Sequence, residues 1–147
     1  EMLKDKTIFI VYDQDTEQTD LALFISQLIE SRGGHVIMPV DHHTNDEVYS
    51  MFQSTDIYIP IITSDTFYSQ RYLNIHRVFE VVREYEQNMV CAPIIIDNIP
   101  AEFLSEISQY VCMFLKTSEG ADTEIAKEKV ISFIGYLCRR FHTLNKK

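Results

Sequence analysis

The residues with the most capacity for chemistry lie close together in the middle of the chain. His76, Arg77, Glu80 and Arg83 fall within a few turns of a helical pattern that starts near Tyr72. His76 and Glu80 are four positions apart, so on a helix they share one face and can line one cleft. A carboxylate in such a cleft can stabilise developing positive charge. Just before the helix, Thr63, Ser64 and Asp65 supply small polar groups where an apolar run ends. Tyr12 and Asp13 do the same after an earlier run. Plainer roles remain open, with Glu80 as a solvated helix residue paired with Arg77 or Arg83 and His76 as a surface or capping residue.

These side chains need strands and helices to place them. Ile57 to Ile62 is almost wholly apolar, rich in β-branched residues and too short for a helix, which predicts a strand buried on both faces. Thr7 to Tyr12 predicts a second such strand, and His35 to Val40 a third, with Pro39 limiting its far end. Met89 to Ile96 and the weaker Tyr110 to Leu115 complete the set. Between them lie helical patterns. Leu21, Phe24, Ile25, Leu28 and Ile29 repeat at helix spacing before Gly33-Gly34. Val48, Met51 and Phe52 mark a short helix, and another is expected over Ala101 to Ser108. A last helix, Asp122 to Phe141, carries Val130, Ile134, Leu137, Cys138 and Phe141 inward, with Arg139 and Arg140 near its end to suit the helix dipole. Polar loops are expected at Asp41 to Asn45 and, containing Gly120, at Thr117 to Thr123.

Strands alternating with helices imply an α/β fold: a five-stranded parallel sheet with helices on both faces. The flavodoxin-like order 2-1-3-4-5 is the commonest for that count. Ligands of such sheets bind at the carboxyl ends of the strands, so Tyr12, Asp13, Thr63 and Ser64 are the candidate binding residues beside Glu80 and His76.

Length and composition narrow the class. A chain of 147 residues, 46% hydrophobic and 24% charged, fits one globular domain spanning residues 1–147. The chain starts at Glu1 rather than Met, and excision from a longer polypeptide is expected. A net charge of −9 disfavours nucleic acid and anionic membrane surfaces as partners. No apolar run approaches the length of a membrane span, and no signal-peptide core precedes the first strand. Cys91, Cys112 and Cys138 each sit among apolar residues, which predicts buried free thiols in a reducing, cytoplasmic setting.

Several motifs can be set aside. Asp13 to Asp20 contains no glycine, so neither a Rossmann nor a P-loop phosphate site follows the first strand. Asp13 and Asp15 resemble the acidic pair of a response-regulator receiver, but the third strand ends in Ile62-Thr63-Ser64 where that family needs its phosphoacceptor Asp. Gly33-Gly34 with Phe67 resembles a BRCT module, yet the chain has no Trp and two later strands are left over. His42 and His43 beside Asp41 are adjacent on an extended stretch and point apart, with no further ligand at metal spacing. No metal site is expected.

The remaining pieces resemble the Toll/interleukin-1 receptor (TIR) domain family, from about Lys6 to Phe141. Ile8-Phe-Ile-Val-Tyr-Asp13 is similar to the family's first-strand box. Ser54 to Ser64, followed by Phe67-Tyr-Ser69, resembles its third-strand signature, and Ala92-Pro-Ile-Ile-Ile-Asp97 with Ile99-Pro100 its fourth strand and turn. The chain departs from the family in its short Val40 to Asp46 loop, which lacks the Pro and Gly of the usual box, and in having no Trp near the last helix. The resemblance implies intracellular signal transduction of the innate-immunity kind, through self-association or interaction with other TIR domains and with no cofactor required. It also implies an alternative, because catalytic members cleave the nicotinamide–ribose bond of NAD+ with a Glu early in the third helix. Such cleavage passes through an oxocarbenium-like state that a carboxylate stabilises. Matching Tyr72 to the family's aromatic residue puts His76 at that position, whereas counting back from Pro93 puts Glu80 there.

Overall fold

The third strand organises the sheet. The computed structural model describes residues 3–14, 16–39, 43–116 and 124–144, with residues 16, 17 and 141–144 described by backbone alone. Strands β1 (Thr7–Val11), β2 (His35–Ile37), β3 (Ile57–Ile62), β4 (Val90–Cys91), β5 (Ile94–Ile96) and β6 (Met113–Leu115) alternate with helices α1 (Thr16–Ser31), α2 (Asn45–Gln53), α3 (Gln70–Tyr85), α4 (Ala101–Ile107) and α5 (Glu124–Leu144). All six residues of β3 are buried. It pairs in parallel with β1 on one side and with β4 and β5 on the other, in the order β2-β1-β3-β5-β6 with β4 also on β3.

The expected fourth strand is thus present as two pieces. Tyr58 pairs with Cys91 and Ile61 with Ile94, a constant offset that sets Pro60 level with Pro93. Neither proline has an N–H to give, so the ladder is interrupted at that level. With the two pieces counted as one strand, the order is the expected 2-1-3-4-5.

Side chains alternate across the sheet. Ile8, Ile10, Ile57, Ile59 and Ile61 face α1 and α5, where Ile25, Ile29, Val130 and Ile134 cover them. Phe9, Val11 and Tyr58 face α2 and α3, meeting Phe52, Ile75, Phe79 and Val82. A smaller cluster of Ile62, Phe67, Tyr72, Ile95 and Ile107 seats α4. In the aromatic layer Phe9 stacks on Phe52 at 4.5 Å, and Tyr58 lies 5.0 Å from Phe52 and 4.6 Å from Phe79.

Local chemistry sets the ends of the helices. Gly33 has φ 86° and its N–H donates to Glu30 O, while Gly34 N–H donates to Ile29 O at 3.0 Å. This is the paired closure of a Schellman motif, and a Cβ on Gly34 would stand 2.5 Å from Ile29 Cγ2. Thr44 and Glu47 form a reciprocal capping box on α2, and Ser69 caps α3 by accepting from Tyr72 N–H. Strand β2 stops at Ile37, short of the expected Val40, and α5 runs on to Leu144, so Arg140 lies about a turn before its end. Asp15, Val40 to His42, the Thr117 to Thr123 loop and the expected first residues of the last helix lie outside the described residues, as does the side chain of Phe141. No helix among the described residues is long and apolar enough to cross a membrane.

Phe79 is fully buried and is surrounded by the rings of Phe52, Tyr58, His76 and Tyr110, the last at 6.2 Å. Phe79→Ala is expected to cost about 3 to 5 kcal/mol, read as a lowered urea midpoint at unchanged slope. A loss under about 1 kcal/mol would mean that the layer collapses readily around the gap.

Candidate functional site

Helix α3 carries most of the chemistry and separates it into two places. At its first turn Arg71 reaches the carboxyl edge of the sheet. Its Nη1 donates to Tyr12 O at 2.5 Å and its Nη2 to Pro39 O at 2.6 Å, joining the chain after β1 to the chain after β2. Beside it is a hollow of about 290 Å³, bounded by Pro39, His43, Asn45 and Asn74. The chain beyond β1 is braced again where Asp13 N–H donates to the buried Gln18 Oε1 at 2.9 Å. The end of β3 closes on itself, since Thr63 N–H donates to Thr66 Oγ1 at 2.8 Å. Ser64 is exposed.

His76 and Glu80 stand elsewhere. Both line a groove of about 490 Å³ between α3 and α4, whose walls also include Tyr72, Phe103, Glu106 and Tyr110. Tyr12, Asp13, Thr63 and Ser64 are not among the residues of that groove. The geometry of a helix explains the separation. Glu80 is nine residues beyond Arg71, and at 1.5 Å per residue it sits about 14 Å farther from the strand ends. The shared face of His76 and Glu80 is as expected, with Nε2 3.7 Å from Oε1.

The two side chains have opposite surroundings. Only 13% of the His76 side chain is exposed, against 61% for Glu80. The imidazole lies 5.3 Å from the Tyr72 ring, nearly parallel at 16°, and 5.3 Å from the Phe79 ring. Burial lowers the His76 pKa, opposed by the charge of Glu106, so the ring is held towards its neutral form. Its Nδ1 is buried without a hydrogen-bond partner, as is the Tyr58 hydroxyl. Below the groove the Arg83 guanidinium lies 4.9 Å from the centre of the Tyr110 ring.

Two contributions escaped the sequence reading. Glu106 comes from α4, and its carboxylate stands with the His76 imidazole and the Glu80 carboxylate so that one ligand-type atom from each lies within 4.8 Å of the others. Arg71 had no motif to mark it. An amphipathic alignment of α3 against α4 could have pointed to Glu106, but nothing in the spacing indicates that a side chain will reach two carbonyls in the segments after β1 and β2. Of the histidine pair expected to be a solvated loop, His42 is outside the described residues, while His43 Nδ1 lies 3.3 Å from Glu47 Oε2.

Comparison with known proteins adds the fold. No protein family and no curated protein matches the chain by sequence. Solved structures do match. The signal receiver domain of a LuxO repressor protein from Vibrio parahaemolyticus superposes with a TM-score of 0.60 at 10% identity, covering 97% of this chain and 96% of that one. A cysteine-to-serine mutant of flavodoxin from Pseudomonas aeruginosa gives 0.59 at 11% identity, over 91% and 99%. The fold is flavodoxin-like. The TIR domains of the activated Roq1 resistosome share it, with a TM-score of 0.51 at 13% identity over 91% of this chain and 84% of that one.

Two outcomes are expected at these sites. Arg71→Met removes charge-assisted bonds to two carbonyls and should cost about 1.5 to 3 kcal/mol, with faster amide exchange after β1 and β2. An unchanged unfolding midpoint would show that solvent replaces the guanidinium there. Cys91 is buried, and burial pushes its thiol well above the usual range despite the lowering effect of Arg83. Because a raised thiol pKa leaves less thiolate, alkylation of native Cys91 at mildly alkaline pH should be far slower than in denaturant. Equal rates would contradict its burial.

Proposed function

We propose that this chain is a TIR-like domain of intracellular, cytoplasmic signalling that works through protein–protein contact, by self-association or with other TIR domains. The observation that carries the reading is the α3–α4 face. Glu80 is largely exposed there, and the exposed Leu73 and Val81 line the same groove. Tyr68 adds an exposed ring packed edge-on to Phe103 at 6.5 Å. Clustered apolar groups of this kind on a helical surface favour assembly. The segments quoted above as TIR-like support the family, and the Roq1 neighbour belongs to an assembled complex.

The alternative, cleavage of NAD+ by Glu80 with His76 beside it, has less support. It calls for the carboxylate to meet a nucleotide bound at Tyr12, Asp13, Thr63 and Ser64, whereas Glu80 lines a different groove. A hydrolase built on these residues would need α3 to be displaced along its axis.

Sedimentation velocity over a range of concentrations tests the proposal on the wild type and on the Leu73→Asp, Val81→Asp double variant. Self-association of the wild type, lost in the variant while circular dichroism is unchanged, is the expected result. Nicotinamide release from NAD+ is measured on the same concentrated samples and is expected to be absent. A monomer at every concentration that releases nicotinamide, with release abolished by Glu80→Ala, would replace this reading with the enzyme.

A further inference from the structure

The groove between α3 and α4 has a feature that protein–protein contact does not use. One imidazole and two carboxylates from two helices converge, with one ligand atom from each within 4.8 Å of the other two. His76 and Glu80 are already 3.7 Å apart, close to the spacing of two ligands on one small cation. The groove wall carries Glu80, Glu84 and Glu106 against Arg77, three negative charges to one positive, and so attracts a cation. The histidine is the fixed member. Its ring is clamped by Tyr72 and Phe79, and its Nε2 faces Glu80. The two carboxylates are exposed and end flexible side chains that can turn towards it.

We propose that His76, Glu80 and Glu106 bind a first-row divalent transition-metal ion, best suited to Zn2+, that ties α3 to α4. The donor set selects the class. Mg2+ and Ca2+ take oxygen ligands and make poor use of an imidazole, whereas a mixed nitrogen and oxygen set suits zinc. Three protein ligands leave the fourth zinc position directed to the groove, available to water or to a donor atom of a ligand. The proposal stands independently of the signalling reading, since it depends on neither self-association nor NAD+.

The test uses the whole chain, stripped of metal by chelator and dialysed, with Zn2+ as titrant in calorimetry and Co2+ as a spectroscopic probe. One Zn2+ per chain is expected, with a raised melting temperature in its presence. Glu80→Gln and Glu106→Gln, both at exposed positions where folding is preserved, should each weaken binding by at least about tenfold, since even outer-shell changes reach that size. His43→Gln, which removes the separate His43–Glu47 pair, should leave the affinity unchanged. The Co2+ spectrum should show d–d bands without a thiolate charge-transfer band. No stoichiometric Zn2+ binding would overturn the proposal. So would binding that survives both Gln substitutions, disappears in His43→Gln, or brings a thiolate band.

Discussion

A strand with no exposed face has to be covered on both sides, and the arrangement of the molecule follows from that requirement. Ile57 to Ile62 bury every side chain, with Ile57, Ile59 and Ile61 against α1 and α5, Tyr58 in the aromatic layer of α2 and α3, and Ile62 in the cluster that seats α4. The edges of the strand are equally committed, to β1 on one side and to β4 and β5 on the other. The start of the strand is pinned as well. Asp56 N–H donates to Thr7 O at 2.8 Å, and its Oδ2 accepts from Thr7 N–H at 2.8 Å, which sets the register of β1 against β3. Every other element is placed relative to this one.

Much of this was legible in the residues. Short apolar, β-branched runs separated by helical periodicities identify a doubly covered parallel sheet, and the runs at Thr7, Ile57 and Met89 are where the strands lie. Boundaries were less legible because they depend on partners. The division of the fourth strand requires Pro60 and Pro93 to fall level, which becomes visible only once the register is known. The outer strands β2 and β6 are three residues each, shorter than the runs that predict them, because strand length is set by the partner ladder and not by apolar sequence alone.

The candidate site was legible in part, and the limit is instructive. Spacing within one helix is a local property, so the shared face of His76 and Glu80 could be read directly. The relation of that face to the ends of the strands is not local. It depends on where α3 starts and in which direction it runs, and these put the pair against α4 rather than over Thr63 and Ser64. Glu106 is thirty positions from His76 and joins it only through the packing of Ile107 and Phe103 against Phe67, Tyr72 and Ile95. Fold likeness does not decide the chemistry, since receiver domains and flavodoxins share this frame at similar distance.

The clamp made by Arg71 has a mechanical consequence. Helix α3 has sixteen residues, about 24 Å of nearly rigid rod, with one end tied through a single guanidinium to the ends of two strands. The rod is also seated along its length, with Ile75, Phe79 and Val82 buried against Phe9, Val11 and Tyr58, so a load near Val81 bears on that layer and is carried along the helix to the bonds with Tyr12 and Pro39. Whatever docks against the far half of α3 is thereby in mechanical register with the two loops at its near end.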